Sequence, residues 1–87
     1  MDELEDLIEN LSEDEKKVLH YFIKNISVGE IIAVKELKLI YNINKPEIVL
    51  DSLLVKGLIE KAPGCFNLSK KIREILKKRS KKPTMLT

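Results

Sequence analysis

NKPEIVLDSLLVKGLIEKAPGCFNLS, residues 44–69, reads as a helix, an abrupt stop and a small β-hairpin. Asn44 is a good N-cap, and Pro46 suits a first helical turn. Leu50, Leu53 and Leu54 fall on one face at i, i+3, i+4 spacing. Gly57 stands where a left-handed residue is wanted to end the helix. Leu58-Ile59-Glu60-Lys61 and Cys65-Phe66-Asn67-Leu68 read as short strands, with Ala62-Pro63-Gly64 turning between them.

The residues upstream supply two more helices. Ser12 with Glu15 forms a capping box, and Val18, Leu19, Phe22, Ile23 and Ile26 make a buried face that leaves His20 and Tyr21 off it. Gly29 breaks the chain, and Ile31-Ile32 fits a short strand that pairs with the hairpin. A helix from Ala33 or Val34 to Tyr41 follows, burying Val34, Leu37, Ile40 and Tyr41. Asn42–Asn44 is a turn with Ile43 tucked inward.

The ends are amphipathic and oppositely charged. Asp2–Asn10 reads as an acidic helix with Leu4, Leu7, Ile8 and Leu11 on one stripe and Asp2 and Glu5 placed as a capping pair. It either packs on its own domain or docks a partner. Ser69 N-caps a last helix in which Ile72, Ile75 and Leu76 are apolar and Lys70, Lys71, Arg73, Lys77, Lys78 and Arg79 are basic. Up to Glu15 the chain carries no basic residue, whereas beyond Ser69 its one acid is Glu74. The basic end can meet phosphate, an acidic partner or this protein's own acidic end. Residues 81–87 read as a flexible basic tail.

Together these elements describe one domain over residues 1–80: acidic helix 2–10, core 11–68 and basic helix 69–80. The fold class is mainly α with a small β-hairpin. No run is long enough for a membrane span, and the acidic start is unlike a signal peptide. The single cysteine makes no internal disulfide, which fits a reducing cytoplasm.

Leu50, Leu53 and the run Lys56-Gly57-Leu58-Ile59-Glu60-Lys61 resemble the third helix and wing of the winged helix-turn-helix family. Leu11–Leu19 resembles its first core helix and Val34-Lys35-Glu36-Leu37 the start of its second. The resemblance implies a winged helix-turn-helix with extra N-terminal and C-terminal helices. It also implies a third helix that reads the major groove, with the wing touching the backbone.

These residues depart from that expectation. With the leucines inward, the outward stripe is Ile48, Asp51, Ser52 and Val55, flanked by Lys45 and Glu47. Base edges are read by Arg, Lys, Asn and Gln, and carboxylates repel a polyanion. The wing tip carries no charge, and Lys61 is the one basic residue at its base. Ile48 and Val55, one heptad apart, suit a protein contact, unless neighbouring helices of this chain cover them. Lys70, Lys71, Arg73, Lys77, Lys78 and Arg79 are the candidate nucleic-acid residues, for mostly non-sequence-specific phosphate contact.

No catalytic constellation stands out. His20 and Cys65 lie on different elements without a completing acid, and Gly29, Gly57 and Gly64 are too scattered for a phosphate loop. No metal or cofactor is expected. The favoured reading is a non-catalytic interaction module docking on a larger protein of a replication or transcription complex. In size, composition and fold the chain is similar to small accessory subunits such as those of archaeal family-B DNA polymerase holoenzymes. The alternative is a DNA-binding transcription regulator of the winged-helix type. A homodimer is left open.

Overall fold

The computed structural model describes residues 3–80. Asp2 as a cap, the side chain of Arg79 and the tail 81–87 lie outside the described residues. The elements are α1 (Glu3–Glu9), α2 (Glu13–Asn25), β1 (Ser27–Gly29), α3 (Glu30–Leu39), α4 (Pro46–Val55), β2 (Ile59–Ala62), β3 (Cys65–Leu68) and α5 (Lys70–Ser80). The strands form an antiparallel sheet in the order β1-β3-β2. Phe66 of β3 stands opposite Val28 on one side and Lys61 on the other. The architecture is a mainly helical, winged-helix-like domain. Among the described residues no helix is long and apolar enough to cross a membrane.

Local chemistry sets most boundaries. Ser12 caps α2: its Oγ accepts from the Glu15 N–H at 3.2 Å, while Glu15 Oε1 accepts from the Ser12 N–H at 2.8 Å. The end of α4 is a Schellman motif, with Leu58 N–H bonded to the Leu53 carbonyl and Gly57 N–H to the Leu54 carbonyl. That geometry puts Gly57 at φ 76°, where a Cβ is strained. Pro63 and Gly64 hold the hairpin turn, with Gly64 at φ 75°. Ser69 Oγ accepts from the Ile72 N–H and opens α5. A carboxylate oxygen of Glu60 takes the Lys70 N–H, favourable at the positive end of a helix.

The core lies where α2, α4 and the sheet meet. Val18, Phe22, Leu37, Leu50, Leu53, Leu68 and Ile72 are fully buried there, with Ile43 inward as expected. α1 packs on α5 of its own domain, with Leu4 and Leu11 buried and Leu7 and Ile8 half-buried.

Five expectations are corrected. The first strand is Ser27–Gly29, not Ile31-Ile32. Ile26 turns the chain at φ 63°, ψ −55°, directly after α2, so pairing with β3 starts early. α3 therefore begins at Glu30 and presents a different face: Ala33 and Leu37 are buried, Val34 and Tyr41 are half-buried, and Ile40 is exposed. Tyr21 is buried rather than off the core face. Tyr41 meets it edge-on at 5.6 Å, and the Tyr21 hydroxyl donates to Glu36 at 2.6 Å. Burial and the Glu36 carboxylate push the Tyr21 phenol pKa up. Lys45, not Asn44, N-caps α4, because Pro46 takes the first helical position. Ile26, expected in the core, is 38% exposed, and Ile23 is half-buried.

Glu15 ties α2 to α4. Its carboxylate accepts from Lys56 Nζ at 2.8 and 2.9 Å and from the Ser52 hydroxyl, with only 7% of the residue exposed. Lys56 first, then Ser52 and the Ser12 N–H, hold its pKa down from 4.5 to about 2. A folded-state pKa below the unfolded one stabilises the fold above the unfolded value, and the gain fades as pH falls toward the folded value.

Two predictions follow from this geometry. Glu15→Gln should lose about 2 kcal/mol of stability at neutral pH by urea denaturation. The difference from the parent should shrink as pH is lowered from about 5 toward 2. Gly57→Ala should cost about 1 kcal/mol in the same assay, since its Cβ meets open space and only the backbone angle opposes it.

Candidate functional site

On α4 the three inward positions differ in depth: Leu50 and Leu53 are buried and Leu54 is half-buried. The opposite face carries Ile48, 61% exposed, and Val55, 88% exposed, with exposed Asp51 between them. Ser52 does not share that surface fully. It is half-buried, and its hydroxyl is spent on Glu15. Near the start of the helix, Ile48 lines a shallow groove of about 380 Å³ with Asp14, Asn42, Asn44, Lys45 and Val49. The face is apolar, with Asp51 in its middle and Lys45 and Glu47 at its rim.

A second apolar surface lies on α3, where the sequence reading had placed a strand and a different helix face. Ile31 is 83% exposed, Ile32 55%, Leu39 68% and Ile40 66%. Ile32, Leu39 and Ile40 line a groove of about 330 Å³ with Lys35 and Glu36. The spacing 32, 35, 36, 39, 40 is a helical stripe in its own right. It was legible only with the helix started at Glu30, since Ala33 and Leu37 then define the inner face and these residues the outer one.

The basic residues of α5 divide. Lys70, Arg73 and Lys77 sit with Glu74, Ile26 and Leu76 around one groove. Lys71 and Lys78, seven residues apart, are exposed on another side of the same helix. Arg73 also lies 3.9 Å from Glu60, an exposed pair of small energetic weight. On the hairpin, Lys61 is bonded to Glu30 at 3.1 Å, and its ammonium stands 5.5 Å from the centroid of the Phe66 ring.

His20 is exposed on α2, and half-buried Cys65 has Asn67 as its polar neighbour. Among the described residues no group of His, Cys, Asp and Glu is placed to hold a metal ion.

The chain has no match among curated proteins. A family model described as PolB1 Binding Protein 2 (PBP2) matches residues 12–74. The match runs from the Ser12 cap through α2, the α3–α4 pair and the sheet into the first half of α5, and so takes in both apolar faces. By this match, which covers most of its length, the chain belongs to the PolB1 Binding Protein 2 family.

Proposed function

We propose that this protein is a non-catalytic accessory subunit of a DNA polymerase holoenzyme, and that it binds the family-B polymerase PolB1 through α4. The observation that carries the reading is the exposure of Ile48 and Val55 on the helix that DNA-reading relatives of this fold insert into the major groove. Apolar side chains standing in water on one helix face favour burial against protein. Family membership supplies the partner's identity.

The same observation weighs against a sequence-reading regulator. Asp51 sits at the centre of the face and Glu47 at its edge, both exposed. A phosphate backbone would meet two carboxylates and no arginine there. The wing adds little, because Lys61 is already engaged by Glu30 and stands by the Phe66 ring.

A centrally placed apolar anchor carries a large share of an interface's energy, and a carboxylate put in its place is driven out by desolvation. Ile48→Asp and Val55→Asp should each weaken binding to purified PolB1 by about tenfold or more, read by calorimetry. Circular dichroism should show both variants folded, since neither side chain contributes to the core. Undiminished affinity in the double variant would refute docking through α4. If Ile32→Asp or Leu39→Asp alone abolished binding, the docking face would be α3. Tight duplex binding by the parent protein, selective for sequence and lost on Lys45→Ala, would instead support the regulator.

A further inference from the structure

The groove between the end of α2 and α5 has a composition unlike either apolar helix face. It encloses about 400 Å³ and is lined by Ile26, Lys70, Arg73, Glu74, Leu76 and Lys77. Lys70, Arg73 and Lys77 follow i, i+3, i+7 spacing, so three cations run along one edge of α5. Ile26 and Leu76 supply an apolar strip beside them. We propose that this groove binds an acidic peptide segment whose carboxylates meet the α5 cations and whose apolar side chains cover Ile26 and Leu76.

The backbone at Ile26 is the second observation. The residue sits at φ 63°, ψ −55°, a region that a β-branched side chain rarely enters. Two hydrogen bonds pin it there. Its N–H donates to the Phe22 carbonyl, and its carbonyl accepts from the Leu68 N–H, both at 2.7 Å. Glycine would satisfy the same bonds with less strain. The isoleucine at this corner is instead 38% exposed at the groove wall. Strain of this kind, held by bonds on both sides, is a pointer to a binding role.

Charge complementarity selects the occupant. Lys70, Arg73 and Lys77 outnumber Glu74 in the groove, with Arg73 also 3.9 Å from Glu60, so the groove attracts an acidic segment and repels a basic one. A nucleic acid would also meet the cations, and Glu74 disfavours either anion alike, but phosphates gain nothing from Ile26 and Leu76. A peptide that alternates carboxylate and apolar side chains satisfies both halves of the surface. This site is separate from the α4 face, so it stands or falls independently of polymerase docking there.

The test uses the full-length protein, labelled with nitrogen-15, and a short peptide alternating Glu or Asp with Leu. Two control peptides replace Leu by Ser, or Glu and Asp by Gln and Asn. A single-stranded oligonucleotide of equal charge is titrated alongside. The expected result is amide shift changes centred on Ile26, Lys70, Arg73 and Lys77, with each control peptide about tenfold weaker. Ile26→Gly should keep the fold and weaken the peptide by a similar factor, whereas Ile48→Asp should leave it unchanged. If Ile26→Gly unfolds, Lys70→Glu with Lys77→Glu serves in its place. Shifts centred elsewhere, or peptide affinity untouched by the groove variants, would overturn the proposal. So would an oligonucleotide that binds the same residues more tightly than the peptide, with a steep salt dependence.

Discussion

The carboxylate of Glu15 is the contact on which the orientation of the rest depends. At the third position of α2 it completes the Ser12 box and lies over the positive end of the helix. The same two oxygens receive Ser52 and Lys56 from α4. Those residues are four apart and lie on one flank of that helix or just past its end. Held at that flank by Glu15 and from within by Leu50 and Leu53, α4 has little freedom to rotate about its axis. Ile48, Asp51 and Val55 are therefore fixed outward. The bonds from Lys56, Ser52 and the Ser12 N–H outweigh the desolvation of this charge, so the same contact both stabilises the fold and specifies one setting of α4 against α2.

A second constraint sits at the far end of α2. The positive-φ turn at Ile26 ends the helix and delivers the chain into β1 within one residue. Leu68 bonds the Ile26 carbonyl, Val28 pairs with Phe66, and Glu30 donates to the Gly64 carbonyl at the hairpin turn. Three residues of strand thus bind the first half of the chain to the hairpin. They also set where α3 starts, and so which of its apolar residues point to water. The exposed face of α3 is a consequence of a turn four residues upstream.

This explains what was legible beforehand. The Ser12 box, the stop at Gly57, the hairpin and the Ser69 cap each rest on a few neighbouring residues with strong local preferences, and each appears where the sequence put it. The outward placement of Ile48 and Val55 followed from the same leucine spacing. The failures are tertiary. Nothing local marks isoleucine as a positive-φ residue, so the sequence does not announce the turn that ends α2 at Ile26. Ile31-Ile32 looks like a strand by composition, yet Ser27–Gly29 was already paired with β3. Tyr21 lies off the main stripe, but Tyr41 and Glu36 come from α3 and the segment after it to cover it. Ser52 looked like part of an outward stripe because its partner lies 37 positions away.

Charge tells the same story across the surface. A winged helix that grips DNA needs cations on its third helix and on its wing, free to meet phosphate. Here α4, which the resemblance matches to that third helix, offers isoleucine, aspartate and valine outward. Its one lysine near the end, Lys56, is bound to Glu15, and Lys61 on β2 is bound to Glu30. On α5 a row of cations borders apolar Ile26 and Leu76 rather than a flat polar face. On the proposed reading such a surface meets protein, which can cover apolar and charged groups together.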